Sequence, residues 1–359
     1  MKVVSIVGAR PQFIKAAPVC RALRERHTEI LVHTGQHYDR AMSEVFFEEL
    51  GIPAPDVNLG VGSGSHARQT AEMLAPIEAL LTEEQPDWVL VYGDTNTTLA
   101  GGLAASKLNL PLAHVEAGLR SFDMGMPEEI NRVVVDRVSD LLLCPTTAAV
   151  ENLRREGITR GVELVGDVML DTARHFAESV PADDVLASFG VEPGGYLLAT
   201  VHRAANSDDP ERLGAIVRAF GRVGRPVIWA VHPRTSKNLD LFGLRDLVRD
   251  FRDIRAVDPI SYGQTVALLR HAAGLLTDSG GMQKEAYFFS VPCVTLRDET
   301  EWVETVELGW NTLAGADTER ILAAALSLAR PVGHPDVYGD GHAAEAVVTA
   351  LEKHAGARS

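Results

Sequence analysis

The stretch Lys2–His33 reads K-V-V-S-I-V-G-A-R-P-Q-F-I-K-A-A-P-V-C-R-A-L-R-E-R-H-T-E-I-L-V-H. Lys2–Val7 is an apolar strand run, Ile14–Glu25 carries an amphipathic helical pattern, and Glu29–His33 is a second strand run. A strand, a helix and a strand in 32 residues make a βαβ unit, which implies a parallel sheet. The pattern continues through Trp88–Tyr92, Pro111–Val115, Leu141–Cys144 and Glu163–Val165, with a Gly/Ser-rich loop at Val61–Ser65. A second series follows Gly166–Asp171: Tyr196–Thr200, Pro226–Ala230, Ile254–Val257, Leu275–Thr277 and Cys293–Leu296. The two halves repeat the order of elements without repeating sequence. The expected fold is therefore α/β, with two Rossmann-like domains of parallel sheet facing one another across a cleft. The domains are placed at 1–168 and 169–342, and a terminal helix at 343–357 is expected to pack back on the first.

Length and charge agree with this plan and narrow the partners. A chain of 359 residues exceeds what one hydrophobic core usually supports. Its net charge of -15 argues against nucleic acid or an anionic membrane as the main partner, since both need an excess of Lys and Arg. No secretory signal opens the chain, and no apolar run reaches the ~18–20 residues that span a bilayer. Cys20, Cys144 and Cys293 are widely spaced and odd in number, so neither a disulfide framework nor a zinc site is expected. They read as buried, reduced thiols of a cytoplasmic protein.

Candidate chemistry gathers where strands end, because open α/β sheets bind ligands outside the carboxyl ends of their strands. The run His114–Arg132, H-V-E-A-G-L-R-S-F-D-M-G-M-P-E-E-I-N-R, places Glu116, Arg120 and Asp123 in a loop and Glu128 and Glu129 in a first helical turn. Glu128 and Glu129 could simply complement a helix dipole. Glu116 has no such role. Asp94, in G-D-T-N-T-T after the strand at Trp88–Tyr92, could be a helix cap or a catalytic carboxylate.

The first turn, Gly8-Ala9-Arg10-Pro11-Gln12-Phe13-Ile14-Lys15, lacks the G-x-G-x-x-G fingerprint, so no bound NAD is expected. Arg10 and Lys15 oppose the helix dipole there and are better explained by an anionic ligand. Ser279-Gly280-Gly281 follows a strand and opens a helix, a context that suits a diphosphate, and Glu285 could hold ribose hydroxyls. His202-Arg203 ends another strand, its arginine pointing the pair toward phosphate, and His232 stands in the same place after the next strand.

Taken together, G-A-R-P-Q-F-I-K-A-A-P-V from Gly8, T-G-Q-H-Y-D from Thr34, G-D-T-N-T-T from Gly93, H-V-E-A-G-L-R from His114, P-E-E-I-N-R from Pro127 and T-D-S-G-G-M-Q-K-E-A from Thr277 resemble the non-hydrolysing UDP-N-acetylglucosamine 2-epimerase family over nearly the whole chain. The resemblance implies a GT-B architecture, a UDP-sugar substrate, a homodimer, and no cofactor or metal. It implies inversion of C2 without NAD, by eliminating UDP to a 2-acetamidoglucal and adding it back. Asp94, Glu116 and Glu128 take the positions of the catalytic carboxylates. Arg10, Lys15 and His202 attend the diphosphate and its departure, which places His202 among the catalytic residues. Ser279, Gly280, Gly281 and Glu285 match the UDP-binding positions.

Departures from the pattern bear on the substrate. The family's T-E-R-P reads Thr300-Glu301-Trp302-Val303, and an aromatic beside the uracil is replaced by Thr265. The stretches from Leu296, Glu285 and Ser121 are more similar to the branch acting on UDP-2,3-diacetamido-2,3-dideoxyglucuronate. A carboxylate at C6 would need an extra cation, for which Arg120, Arg132 and Arg203 are candidates. Gln36, Arg68, Gln69 and His232 resemble part of a substrate-activated second site, but Asp39 stands where a glutamine is usual. A GT-B glycosyltransferase, a silent nucleotide-sugar sensor and a hydrolysing epimerase are the alternatives.

Overall fold

The computed structural model describes residues 1–35 and 50–355, so Gln36 and Asp39 lie outside the described residues. The chain divides into two compact units, Met1–Thr172 with Asp336–Ser359, and Ala173–Pro335.

Unit one holds a seven-stranded sheet. Its strands are β1 (Lys2–Val7), β2 (Thr28–His33), β3 (Val57–Asn58), β4 (Trp88–Tyr92), β5 (Leu112–Val115), β6 (Leu141–Cys144) and β7 (Val162–Leu164), in the order β3-β2-β1-β4-β5-β6-β7. Neighbouring strands pair parallel, with Val4 opposite both Ile30 and Val89. Helices cover a parallel sheet on both faces, so its strands read as continuous apolar runs. Val89, Leu90, Val91 and Tyr92 are all fully buried. Chain order reverses direction between β1 and β4, which is the switch point where ligands of doubly wound sheets bind.

The helix Ala343–Ala355 belongs to this unit. The Asp171 carboxylate accepts hydrogen bonds from Ala343 and Ala344 N–H at its start. Near its end Glu163 pairs with Lys353 and His354, and Glu352 with His27.

Unit two holds six parallel strands, β8 (Leu197–Thr200), β9 (Val227–Ala230), β10 (Ile254–Val257), β11 (Gly274–Thr277), β12 (Cys293–Thr295) and β13 (Asn311–Leu313). Their order, β10-β9-β8-β11-β12-β13, repeats the plan of the first sheet. Here the switch point lies between β8 and β11. The hydroxyls of Thr200 and Thr277 meet across it at 2.6 Å and tie the two strand ends together.

The three cysteines are buried and unbridged. Burial pushes the Cys293 thiol up to about 12, and it pushes the Cys20 and Cys144 thiols up as well. Such thiols are poor nucleophiles. None of the described helices is long and apolar enough to cross a membrane.

Candidate active site

In unit one, the turn after β1 is closed by a side chain. Gln12, almost fully buried in the helix Arg10–Arg26, accepts hydrogen bonds from Gly8 N–H at 2.8 Å and Ala9 N–H at 3.1 Å. Its amide donates to the Tyr92 carbonyl and the Thr98 hydroxyl, which locks the turn to the end of β4. Arg10 is the exposed first residue of this helix. Lys15 is buried, one turn on, and its Nζ lies 2.6 Å from Glu116 Oε1.

Glu116 sits just past β5 with φ of +71°, a left-handed conformation that non-glycine residues rarely hold outside constrained sites. The Glu116 and Ala117 N–H groups both donate to the Leu143 carbonyl, which holds that conformation. Gly93 also has a positive φ, and a Cβ there would come within 2.9 Å of Lys15 Nζ. The positive φ favours glycine there, and a side chain would press on the buried pair beside the β4 turn.

Asp94 is not the cap of the following helix. Thr95 holds that position, while the Asp94 carboxylate pairs with Arg132 Nη2 at 2.5 Å. Asn131 donates to the Asp94 carbonyl at 2.8 Å, so the helix Pro127–Val138 grips Asp94 at backbone and side chain together. The two adjacent glutamates differ. Glu129 is buried, pairs with Arg132 at 2.9 Å and accepts from Ser121 and Phe122 N–H, which secures the preceding loop. Burial opposes its charge, but those backbone and arginine bonds win and hold its carboxyl below the usual range. Glu128 is half-buried on the same first turn. Asp94, Glu116 and Glu128 therefore all belong to segments that meet at the β1, β4 and β5 strand ends, where Lys15 pairs with Glu116 and Arg132 with Asp94.

In unit two the organising residue is Asp278, fully buried just after β11. It accepts from His202 N–H at 3.0 Å, Arg203 N–H at 3.0 Å and the Asn206 amide at 3.1 Å, so it shapes the turn after β8. The His202 side chain is partly exposed, and its ring lies 5.8 Å from that of His232. Ser279 caps the helix Gly280–Phe288, its hydroxyl accepting from Met282 N–H. A Cβ on Gly280 would meet Glu301 Oε1 at 2.4 Å, so the carboxylate of Glu301 stands against the helix start. Arg297 binds that carboxylate at 2.9 Å and Arg203 approaches it at 3.7 Å. Glu285 is buried and accepts from the Tyr262 hydroxyl at 2.8 Å. The protein's own carboxylate, Glu301, thus stands at a helix start beside two arginines.

The resemblance to known proteins runs through both units. Residues 21–352 match the family model described as UDP-N-acetylglucosamine 2-epimerase. The chain belongs to this family. A Methanococcus maripaludis UDP-N-acetylglucosamine 2-epimerase homolog is 50% identical over 98% of this chain and 99% of its own. The UDP-2,3-diacetamido-2,3-dideoxy-D-glucuronate 2-epimerase of Pseudomonas aeruginosa is 49% identical over 98% of this chain and 100% of its own. The crystal structure of Methanocaldococcus jannaschii UDP-GlcNAc 2-epimerase, in complex with UDP-GlcNAc and UDP, superposes with a TM-score of 0.89 at 43% identity, covering 98% of this chain and 100% of that one. The fold is the α/β GT-B type of such epimerases.

Within the epimerase family pattern, the structure also shows where this chain's substitutions go. Trp302 is buried, with Lys284 Nζ 4.1 Å from the centre of its ring. Thr265 is half-buried and donates to the Ser261 carbonyl. Of the candidate C6 cations, Arg120 is buried and taken by Asp136 and Glu156, and Arg132 by Asp94 and Glu129. Among the described residues, the Arg203 side chain makes a looser contact with Glu301, at 3.7 Å. Arg68 pairs with Glu72 on the surface, Gln69 is buried against Asn96, and His232 caps the helix Pro233–Leu241.

Gln12, Asp136 and Asp278 escaped the sequence reading as site residues. Their partners lie up to 86 positions away, a distance no local pattern spans. The one available signal for Asp278 was a carboxylate between an apolar strand and a Ser-Gly-Gly turn.

Proposed function

We propose that this epimerase inverts C2 of a UDP-2-acetamido sugar, converting UDP-N-acetylglucosamine to UDP-N-acetylmannosamine through a 2-acetamidoglucal. The observation that carries the reading is the Lys15–Glu116 pair, buried at 2.6 Å beside Gly93 and next to the Asp94–Arg132 pair. The C2 proton is weakly acidic, so departure of UDP must run ahead of its removal. As the C1–O bond breaks, UDP keeps the electron pair and positive charge grows at C1, where carboxylates stabilise it. One of Asp94, Glu116 and Glu128 takes the C2 proton, leaving a C1–C2 double bond. Another returns a proton to the opposite face, and UDP re-adds at C1. His202, Arg10 and Lys15 attend the leaving diphosphate, while Arg203, Ser279, Gly280, Gly281 and Glu285 hold UDP.

Residues 1–168 with the returning terminal helix are read as the domain of the sugar chemistry, and 169–342 as the UDP-binding domain. The enzyme is further read as a cytoplasmic homodimer feeding surface-polysaccharide synthesis. The family resemblance supports the dimer and the pathway, and the strongly acidic composition supports a site of action away from anionic membranes.

A second substrate has a specific observation behind it. The Pseudomonas aeruginosa relative named for the diacetamido-glucuronate matches at 49% identity, and Arg203 is the candidate cation least committed elsewhere. Proton NMR in D₂O decides. Appearance of UDP-N-acetylmannosamine with deuterium at C2 supports the first reading. Silence there, with turnover of the uronate, assigns the second. Free N-acetylmannosamine with UDP would mark a hydrolysing enzyme.

A further inference from the structure

Behind the carboxylates of unit one lies a buried ring that touches three of the segments bearing them. His114, on β5 two residues before Glu116, is completely buried. Its Nε2 lies 2.7 Å from the Gly93 carbonyl, and its Nδ1 lies 2.7 Å from Asp136 Oδ1. Gly93 precedes Asp94, and Asp136 belongs to the helix that carries Glu128 and Arg132.

Both partners are acceptors. A carbonyl never donates, and Asp136 already receives Gly118 N–H at 3.0 Å and Arg120 Nη1 at 2.7 Å on its other oxygen. Burial opposes the Asp136 charge, but bonds from His114 and Arg120 outweigh it and hold the carboxyl below its ordinary range. A neutral imidazole has one N–H and would set a lone pair against an acceptor at 2.7 Å on its other side. Arg120 reaches outward as well, binding the partly exposed Glu156 through two nitrogens, so its position against Asp136 is fixed from both sides.

We propose that His114 is a positioning residue, a buried imidazolium that with Asp136 fixes the Gly93 turn and so sets Asp94 and Glu116 relative to one another. The ring does not reach the reacting atoms and acts through the Gly93 carbonyl. Gly93 is the fulcrum because its Cα faces the buried pair: a Cβ on it would lie 2.9 Å from Lys15 Nζ and 3.7 Å from Glu116 Oε1. The effect on turnover rests on the reading of Asp94 and Glu116 as reacting carboxylates, whereas the state of the ring does not.

The test uses the full-length enzyme labelled with ¹⁵N-histidine, with His114→Gln and Asp136→Asn alongside. The signal that disappears in His114→Gln shows a proton on each ring nitrogen, and in Asp136→Asn it shows one. Both variants lower kcat by ~10-fold or more, while KM and UDP affinity stay within about threefold, because geometry at the reacting atoms is lost and binding is not. A single N–H on the wild-type ring overturns the proposal, as does an unchanged kcat in either folded variant. If His114→Gln does not fold, Asp136→Asn supplies both readouts, its shifted ring signal giving the assignment. Absence of turnover by the wild type with both UDP-sugars would sink the functional reading alone, since the ring spectrum needs no substrate.

Discussion

Lys15 and Glu116 are 101 residues apart in the chain, yet they form a buried ion pair at 2.6 Å. Removing one partner strands the other charge away from water, which typically costs about 3–5 kcal/mol, while removing both together costs much less. We expect Lys15→Met to be strongly destabilising in urea unfolding and Lys15→Met/Glu116→Gln to recover most of the loss. Additive effects would show that the two charges are independently solvated.

The same pair predicts a separation of binding from chemistry. Glu116→Gln keeps shape and removes charge, so turnover should fall by roughly 10²-fold or more. UDP affinity measured by calorimetry should stay within about threefold, because most of the residues assigned to UDP, Arg203, Ser279, Gly280, Gly281 and Glu285, belong to the other unit. Undiminished turnover removes Glu116 from the reaction.

At Gly280, an added methyl would meet Glu301 Oε1 at 2.4 Å. A glutamate end can swing away cheaply, but in doing so it leaves Arg297 and Arg203. Gly280→Ala should therefore shift the thermal midpoint by less than about 4 °C while weakening UDP binding by about tenfold. A UDP affinity equal to wild type would show that the helix start and its arginines do not hold the nucleotide.

Asp171 gives stability a pH dependence of unusual sign. Burial raises its carboxyl to about 6, against the pull of the Ala344 and Ala343 N–H groups. The folded value lies above the unfolded value of about 3.9, so the unfolded chain releases this proton first as pH rises. The group's contribution is thus fullest below pH ~4, is lost between pH ~4 and ~6, and does not return above that window. Asp171→Asn cannot titrate and keeps an oxygen for the helix start at Ala343–Ala344. The midpoint difference, variant minus wild type, should grow from pH ~4 to pH ~7. A flat difference across that range would refute the assignment.

Much of the fold was readable because a parallel sheet leaves its signature in continuous apolar runs. Lys2–Val7, Trp88–Tyr92, Leu141–Cys144 and Ile254–Val257 are strands with the very limits expected from sequence, and others differ by a residue at one or both ends. The strands that escaped, Val57–Asn58 and Asn311–Leu313, are edge strands of two and three residues, too short to show any period. Among the carboxylates, Asp94 and Glu116 stood out by their place after strands. Which partner each one takes depends on Arg132 and Lys15, and only the folded chain brings those cations near. Place in the chain did not separate Glu128 from Glu129, since both occupy a first helical turn, and only the family resemblance singled out Glu128. Burial separates them, committing Glu129 to the loop at Ser121–Phe122.

The Gln12 amide has a bearing on chemical probes. A dinucleotide mimic aimed at the first turn would find the Gly8 and Ala9 N–H groups already engaged, and would have to evict a side chain that also anchors Tyr92 and Thr98. Scaffolds built on a dinucleotide pyrophosphate should therefore bind poorly at this turn, and the same glutamine sets it apart from a G-x-G-x-x-G turn.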